Sequence, residues 1–164
     1  MPLLSVRGFI ADEWRKLDAE EEPPALGDVI VAWERLAREW ESLVKHDGRL
    51  GVVFPNNEQT EALSLYRSRL GLIVLAFPSF TDGRAYSIAR QLRLDGYRGE
   101  LRASGDVLPD QLQFMVQVGF DSFEVGDRFA EGQWQRAVVQ MSLTYQHGLA
   151  APAPHPAAAV WKLR

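Results

Sequence analysis

Cysteine is missing altogether from the 164 residues. That removes disulfides, thiol nucleophiles, zinc sites of the Cys type and cysteine-ligated iron–sulfur clusters at once, and it suits a reducing cytoplasm. Histidine is scarce, and His46, His147 and His155 are scattered along the chain. They make a poor basis for a metal site, so no metal and no cofactor is expected. No apolar run approaches the ~20 residues of a membrane span. The N-terminus, Met-Pro-Leu-Leu-Ser-Val-Arg-Gly, has no basic segment followed by a long apolar one, so neither a secretory signal nor a membrane partner is expected. Positive charge is in deficit, with a net charge of −4, which argues against nucleic acid as a partner. The signatures G-x-G-x-x-G, G-x-x-x-x-G-K-[ST] and G-x-S-x-G are also absent, and with them the common phosphate cradles and the nucleophile elbow.

What is present is an ordinary globular composition, 46% hydrophobic and 24% charged, sufficient for one sizeable core. Residues 1–24 read as an N-terminal arm. Leu3, Leu4, Val6, Phe9 and Ile10 form a short hairpin around Gly8, Trp14 and Leu17 pack on the body, and an acidic loop ends in Pro23-Pro24. An α/β domain then spans 25–147. Its strands are expected at Asp28–Ala32, Leu50–Phe54, Leu72–Phe77, Glu100–Ala103 and Ser122–Val125. Helices follow each: one from Trp33 to Val44; one capped by Asn57 with Leu63 and Tyr66 on one face; one capped by Asp82 with Ala85, Ile88, Ala89 and Leu92 inward; one from Pro109 with Leu112, Met115 and Val116; and one from about Ala130 to Tyr145 burying Trp134, Ala137, Val138 and Met141. Residues 148–164 are Pro/Ala-rich and read as an extended tail, with Val160, Trp161 and Leu163 near its end.

Five strand-then-helix units predict an α/β fold with a mainly parallel sheet. A flavodoxin-like open, doubly wound sheet is the expected form, ahead of a partial (βα) barrel, which closes only with eight units.

In either form ligands gather where strands end and helices begin. Those corners hold Pro55-Asn56-Asn57-Glu58, Pro78-Ser79-Phe80-Thr81-Asp82-Gly83-Arg84, Ser104-Gly105-Asp106 and Gly126-Asp127-Arg128. Thr81, Asp82, Arg84, Arg102 and Asp106 are therefore the candidate binding residues. Arg84 is the odd member, because a cation in a helix's first turn opposes the macrodipole and calls for compensation. Three readings stay open. Arg84 is bridged structurally to Asp106 or Asp110 while Asp82 caps its own helix; or Gly83, the helix N-terminus and Arg84 together take a small anion; or Asp82, Asp106 and Asp127 hold a divalent metal. Arg90 and Arg93, one turn apart, read either as a solvated helix face or as a docking face for an acidic partner. These residues leave open whether the protein is an enzyme.

The stretch Phe77–Arg93, followed by Gly99-Glu-Leu-Arg-Ala-Ser-Gly-Asp-Val-Leu-Pro-Asp-Gln-Leu112 and Gly119-Phe-Asp-Ser-Phe123, resembles a family of uncharacterised bacterial proteins, a domain of unknown function. Its members are often labelled oxidoreductases involved in sulfite reduction and are encoded beside assimilatory sulfite reductase. The resemblance covers roughly residues 25–146. Pro109 stands where the family usually has Arg, Ala85 where it has Gly, and Val118 where Cys often precedes Gly-Phe-Asp. The resemblance implies a pathway, and with no redox cysteine or nucleotide fingerprint in the chain it implies an accessory protein that partners sulfite reductase. The alternative is a small-anion- or cofactor-binding enzyme of oxidoreductase type, with its site at the C-terminal ends of the third and fourth expected strands.

Overall fold

A computed structural model describes residues 1–145. Eight strands form one sheet: β1 (Leu3–Ser5), β2 (Gly8–Ile10), β3 (Trp14–Lys16), β4 (Asp28–Ala32), β5 (Leu50–Phe54), β6 (Leu70–Phe77), β7 (Glu100–Gly105) and β8 (Ser122–Glu124). Four helices accompany them: α1 (Trp33–Leu43), α2 (Arg84–Leu94), α3 (Leu112–Val118) and α4 (Glu131–Tyr145). The side chain of Met141 and the tail with Val160, Trp161 and Leu163 lie outside what the structure describes.

The strand order is β2-β1-β8-β7-β6-β5-β4-β3, parallel from β3 through β8 and antiparallel at β1 and β2. The fold is therefore mixed α/β with a mostly parallel sheet. The flavodoxin-like order does not appear, because successive strands lie side by side with no reversal point. The reason is in the strands themselves. A doubly wound sheet needs apolar residues on both faces. Here Leu101, Ala103 and Phe123 face the helical core, but their neighbours Glu100, Arg102, Ser122 and Glu124 alternate to the opposite face. Only one face can take helices, and all four pack there.

The sheet is open and curled into a half-barrel. β2 and β3 are its opposite edges, yet only residues 11–13 separate them in the chain. That link spans at most about 14 Å, whereas the edges of a flat eight-stranded sheet would stand about 33 Å apart. The N-terminal segment thus contributes strands to both edges and a strap between them. The expected hairpin is β1–β2, with Leu4 fully buried and Leu17 5% exposed.

The main core lies between the sheet and the helices, with Val29, Val31, Val52, Phe54, Ile73, Leu75, Phe77, Phe123 and Trp134 at or near zero exposure. Each such side chain contributes about 1.5–3 kcal/mol on burial. A smaller cluster, Ile30, Leu72 and Val74 with Trp14 and Val53, fills part of the concave face.

One expected helix is not formed. After β5 the chain makes a 3-10 turn at Thr60–Leu63 followed by turns. Of the large apolar side chains after β5 only Leu63 and Tyr66 face inward, and Leu65 is 77% exposed, so the segment lacks the apolar stripe that packs a helix. Tyr66 instead packs edge-on against Trp33 and Trp40 of α1, at 5.6 and 4.9 Å between ring centroids. β6 begins at Leu70, two residues before the expected strand Leu72–Phe77.

Candidate functional site

The C-terminal ends of β6 and β7 carry a turn, residues 78–83, held on both flanks by acids. Asp82 lies one residue before the N-cap Gly83 of α2. Its Oδ1 accepts the Arg84 backbone N–H at 3.1 Å and Nε at 3.0 Å, and its Oδ2 accepts Arg84 Nη2 at 2.6 Å and Asn56 Nδ2 at 3.0 Å. The Arg84 guanidinium and backbone N–H hold the Asp82 carboxyl down to about 2. The unfavourable cation at a helix start is thereby neutralised by the residue two before it.

Asp106 closes the other flank. It follows Gly105, whose φ of +91° places the turn where other residues rarely go. Its backbone N–H donates to the Phe77 carbonyl at 2.8 Å. Its Oδ2 accepts the Phe80 N–H at 3.0 Å and its Oδ1 accepts Arg128 Nη1 at 3.2 Å. The structural pair expected between Arg84 and Asp106 or Asp110 is thus replaced by two separate pairs, Arg84–Asp82 and Arg128–Asp106. The acid and base adjacent in sequence meet first, because a two-residue separation lets the guanidinium fold back on its own turn. Thr81 is exposed, with its hydroxyl 3.0 Å from that of Ser79.

Phe80 stands at the tip of this turn, 44% exposed. With its N–H held by Asp106, its carbonyl accepts Gln111 Nε2 at 3.0 Å. Both backbone polar groups of an exposed aromatic are therefore fixed by side chains. Tyr86 of α2 packs on Phe77 at 5.0 Å and on Phe114 of α3 at 4.9 Å. Phe114 itself is 52% exposed. Burial and the nearby Asp110 push the Tyr86 phenol up, so it stays neutral. The rim thus combines aromatic rings with acids and guanidiniums already matched to one another.

The other candidate residues lie elsewhere. Arg102 projects to the concave face, 1% exposed, between Val74 and Ser122 in register. Asp12 of the strap grips it through both oxygens, at 2.8 and 3.1 Å, Glu100 Oε1 lies at 3.1–3.2 Å, and Glu124 at 3.6 Å. Burial opposes its charge, and the carboxylates more than offset that, so it remains a cation. Arg90 is exposed on α2. Arg93 is not solvent-facing: it donates to the carbonyls of Gly119, Tyr97 and Gly99 at 2.8–3.0 Å and pairs with Asp121 at 2.5 Å. It staples α2 to the ends of α3 and β7.

Asn56, Phe80, Gln111, Phe114 and Arg128 belong to the rim and were not among the expected site residues. Asn56, Phe80 and Arg128 sit in strand-to-helix corners, which is signal enough to find them. Gln111 and Phe114 are ordinary helix residues in sequence, and only packing places them there. Among the described residues no group of three or more His, Cys, Asp or Glu side chains is arranged to hold a metal ion, and no helix is long and apolar enough to cross a membrane.

No curated protein and no solved structure matches the chain. A family model does, over residues 51–156, well over half of the chain and a stretch that contains the whole rim. The chain belongs to that family, described as bacterial proteins of unknown function (DUF934).

Proposed function

We propose that the protein is an accessory component of assimilatory sulfite reduction, a cytoplasmic partner of sulfite reductase that acts by docking rather than through a redox centre of its own. The pathway comes from the resemblance carried by Phe77–Arg93 and the segments after it. The mode of action rests on one observation: Phe80 is 44% exposed while its backbone is locked by Asp106 and Gln111. An exposed aromatic on a fixed backbone has less backbone entropy left to lose on binding, and aromatic anchors dominate interface energetics. Phe114 widens the apolar centre, Arg84, Asp82, Asp106 and Arg128 form a polar rim, and exposed Arg90 on α2 is the cation available to an acidic partner surface.

The test is genetic and enzymatic together. Cells lacking the protein are expected to grow poorly on sulfate as sole sulfur source, with restoration by the wild-type gene and not by Phe80→Ala/Phe114→Ala. Normal growth and normal sulfite-reducing activity without the protein would remove the proposal.

A second reading, a small-anion- or cofactor-binding enzyme at the ends of β6 and β7, draws on Arg84 and Arg128, 57% and 64% exposed on either side of the turn. It predicts a gain in thermal stability with sulfite, sulfate, flavin or nucleotide that Arg128→Ala abolishes. No gain with any of them leaves only the docking reading.

A further inference from the structure

The opposite end of β6 and β7 carries a cavity of about 320 Å³, a size within the range of small-molecule sites. It lies between residues 67–70, which lead into β6, and the Gly96–Gly99 turn, which leads into β7. Arg67 and Arg98 are among its lining residues, along with Ser68. Arg67 Nη1 stands 3.5 Å from Asp95 Oδ2, a loose pair, and Asp95 also accepts Gln91 Nε2 at 2.8 Å. Arg98 has no ion pair and no side-chain hydrogen bond among the described residues. Arg67 thus has one acid that is already partly engaged, and Arg98 has none among the described residues.

The turn that presents Arg98 is braced from beneath. Tyr97 is 3% exposed, and its hydroxyl donates to the Leu70 carbonyl at 3.2 Å. Arg93 takes up the carbonyls of Tyr97 and Gly99, at 3.0 and 2.8 Å, so those negative dipole ends are already occupied. Gly96 has φ +86°, and a Cβ on Gly99 would stand 2.2 Å from the Tyr97 hydroxyl. The Gly96–Gly99 turn is therefore held by glycines, by the buried Tyr97 hydroxyl and by Arg93, while Arg98 beside it has no ion pair among the described residues. None of these bonds runs through the Arg98 side chain.

We propose that this cavity is a site for a tetrahedral oxyanion, the phosphate or sulfate group of a small ligand, held by the guanidinium forks of Arg67 and Arg98 and the Ser68 hydroxyl. Binding displaces the weak Arg67–Asp95 contact. The site is independent of the aromatic rim, at the other end of the strands.

The test uses amide chemical shifts of the full chain, titrated separately with inorganic phosphate and inorganic sulfate up to about 10 mM at ionic strength matched with chloride. Saturable shifts are expected at Ser68, Gly96, Arg98 and Gly99. Arg98→Ala and Arg67→Ala should each weaken binding at least about fivefold, while Arg7→Ala, at an exposed residue between β1 and β2 that does not line the cavity, leaves it unchanged. The tighter of the two anions identifies which ester the ligand carries. Shifts absent for both anions, equal in chloride, or unaltered in Arg98→Ala would overturn the proposal. Phe80→Ala/Phe114→Ala should bind the anion normally, which separates this site's failure from that of the docking face.

Discussion

A guanidinium that is 1% exposed and surrounded by Asp12, Glu100 and Glu124 depends on every one of its partners. Removing it leaves three carboxylates facing one another with no counter-ion. Arg102→Ala should therefore lose about 3–5 kcal/mol of stability in urea denaturation, whereas Arg102→Lys, without the fork that meets Asp12 through both oxygens, should recover only part. Asp82 offers a test by pH. Its folded pKa, about 2, lies below the ordinary 3.8, so its contribution to stability is present above about pH 4 and is lost as pH falls toward 2. Carboxyl NMR should show Asp82 titrating near 2 in the native protein and moving up toward its ordinary value in Arg84→Ala, where the bonds from the residue-84 backbone N–H and from Asn56 remain. A titration already near 3.8 in the wild type would contradict the pair. The sequence identified Asp82 and Arg84 as unusual because a cation at a helix start needs an explanation. It did not reveal that Asp106 would pair with Arg128, since that contact joins corners 22 residues apart and depends on β7 and β8 being neighbours.

Among the elements, the strands were the most legible. Val29-Ile30-Val31 and Ile73-Val74-Leu75 are β-branched or aliphatic runs bounded by glycine and proline, and β4 and β5 have the bounds that pattern predicts. The helix expected after β5 failed because two inward side chains, Leu63 and Tyr66, suit a turn against α1 as well as they suit a helix. The rim depends on two glycines with opposite tolerance. At Gly105 a Cβ would stand 2.4 Å from the Phe77 carbonyl oxygen at φ +91°, so Gly105→Ala should cost about 1–3 kcal/mol and displace Asp106 from Phe80. At Gly83 nothing lies within 4 Å and φ is −82°, so Gly83→Ala should stay within about 0.5 kcal/mol. Chemical denaturation of the two variants side by side checks the contrast, and equal effects would contradict it.

For the whole molecule, the curl of the sheet is nearer to the partial barrel that stood second in the five-unit reading, and the strap and N-terminal strands are the features that reading did not contain. The alternation in Glu100-Leu-Arg-Ala-Ser104 and Ser122-Phe-Glu124 was a visible sign that one face would stay uncovered by helices. The pairing of β1 with β8 could not be read from short N-terminal strands. The strap makes a prediction of its own. Asp12→Ala releases residues 11–13 from Arg102, so amide exchange in β2 and β3 should quicken while that in β6, at the sheet's centre, stays slow. Uniform quickening would mean that the strap's contact supports the whole fold rather than its edges.

The docking claim is tested most directly by sedimentation velocity of the purified chain mixed with purified sulfite reductase. The account predicts a complex that forms at micromolar concentration, weakened at least about tenfold by Phe80→Ala/Phe114→Ala, a loss in keeping with two aromatic anchors, in a variant whose circular dichroism matches the wild type. Two species that sediment independently at those concentrations, or a complex indifferent to both substitutions, would contradict it.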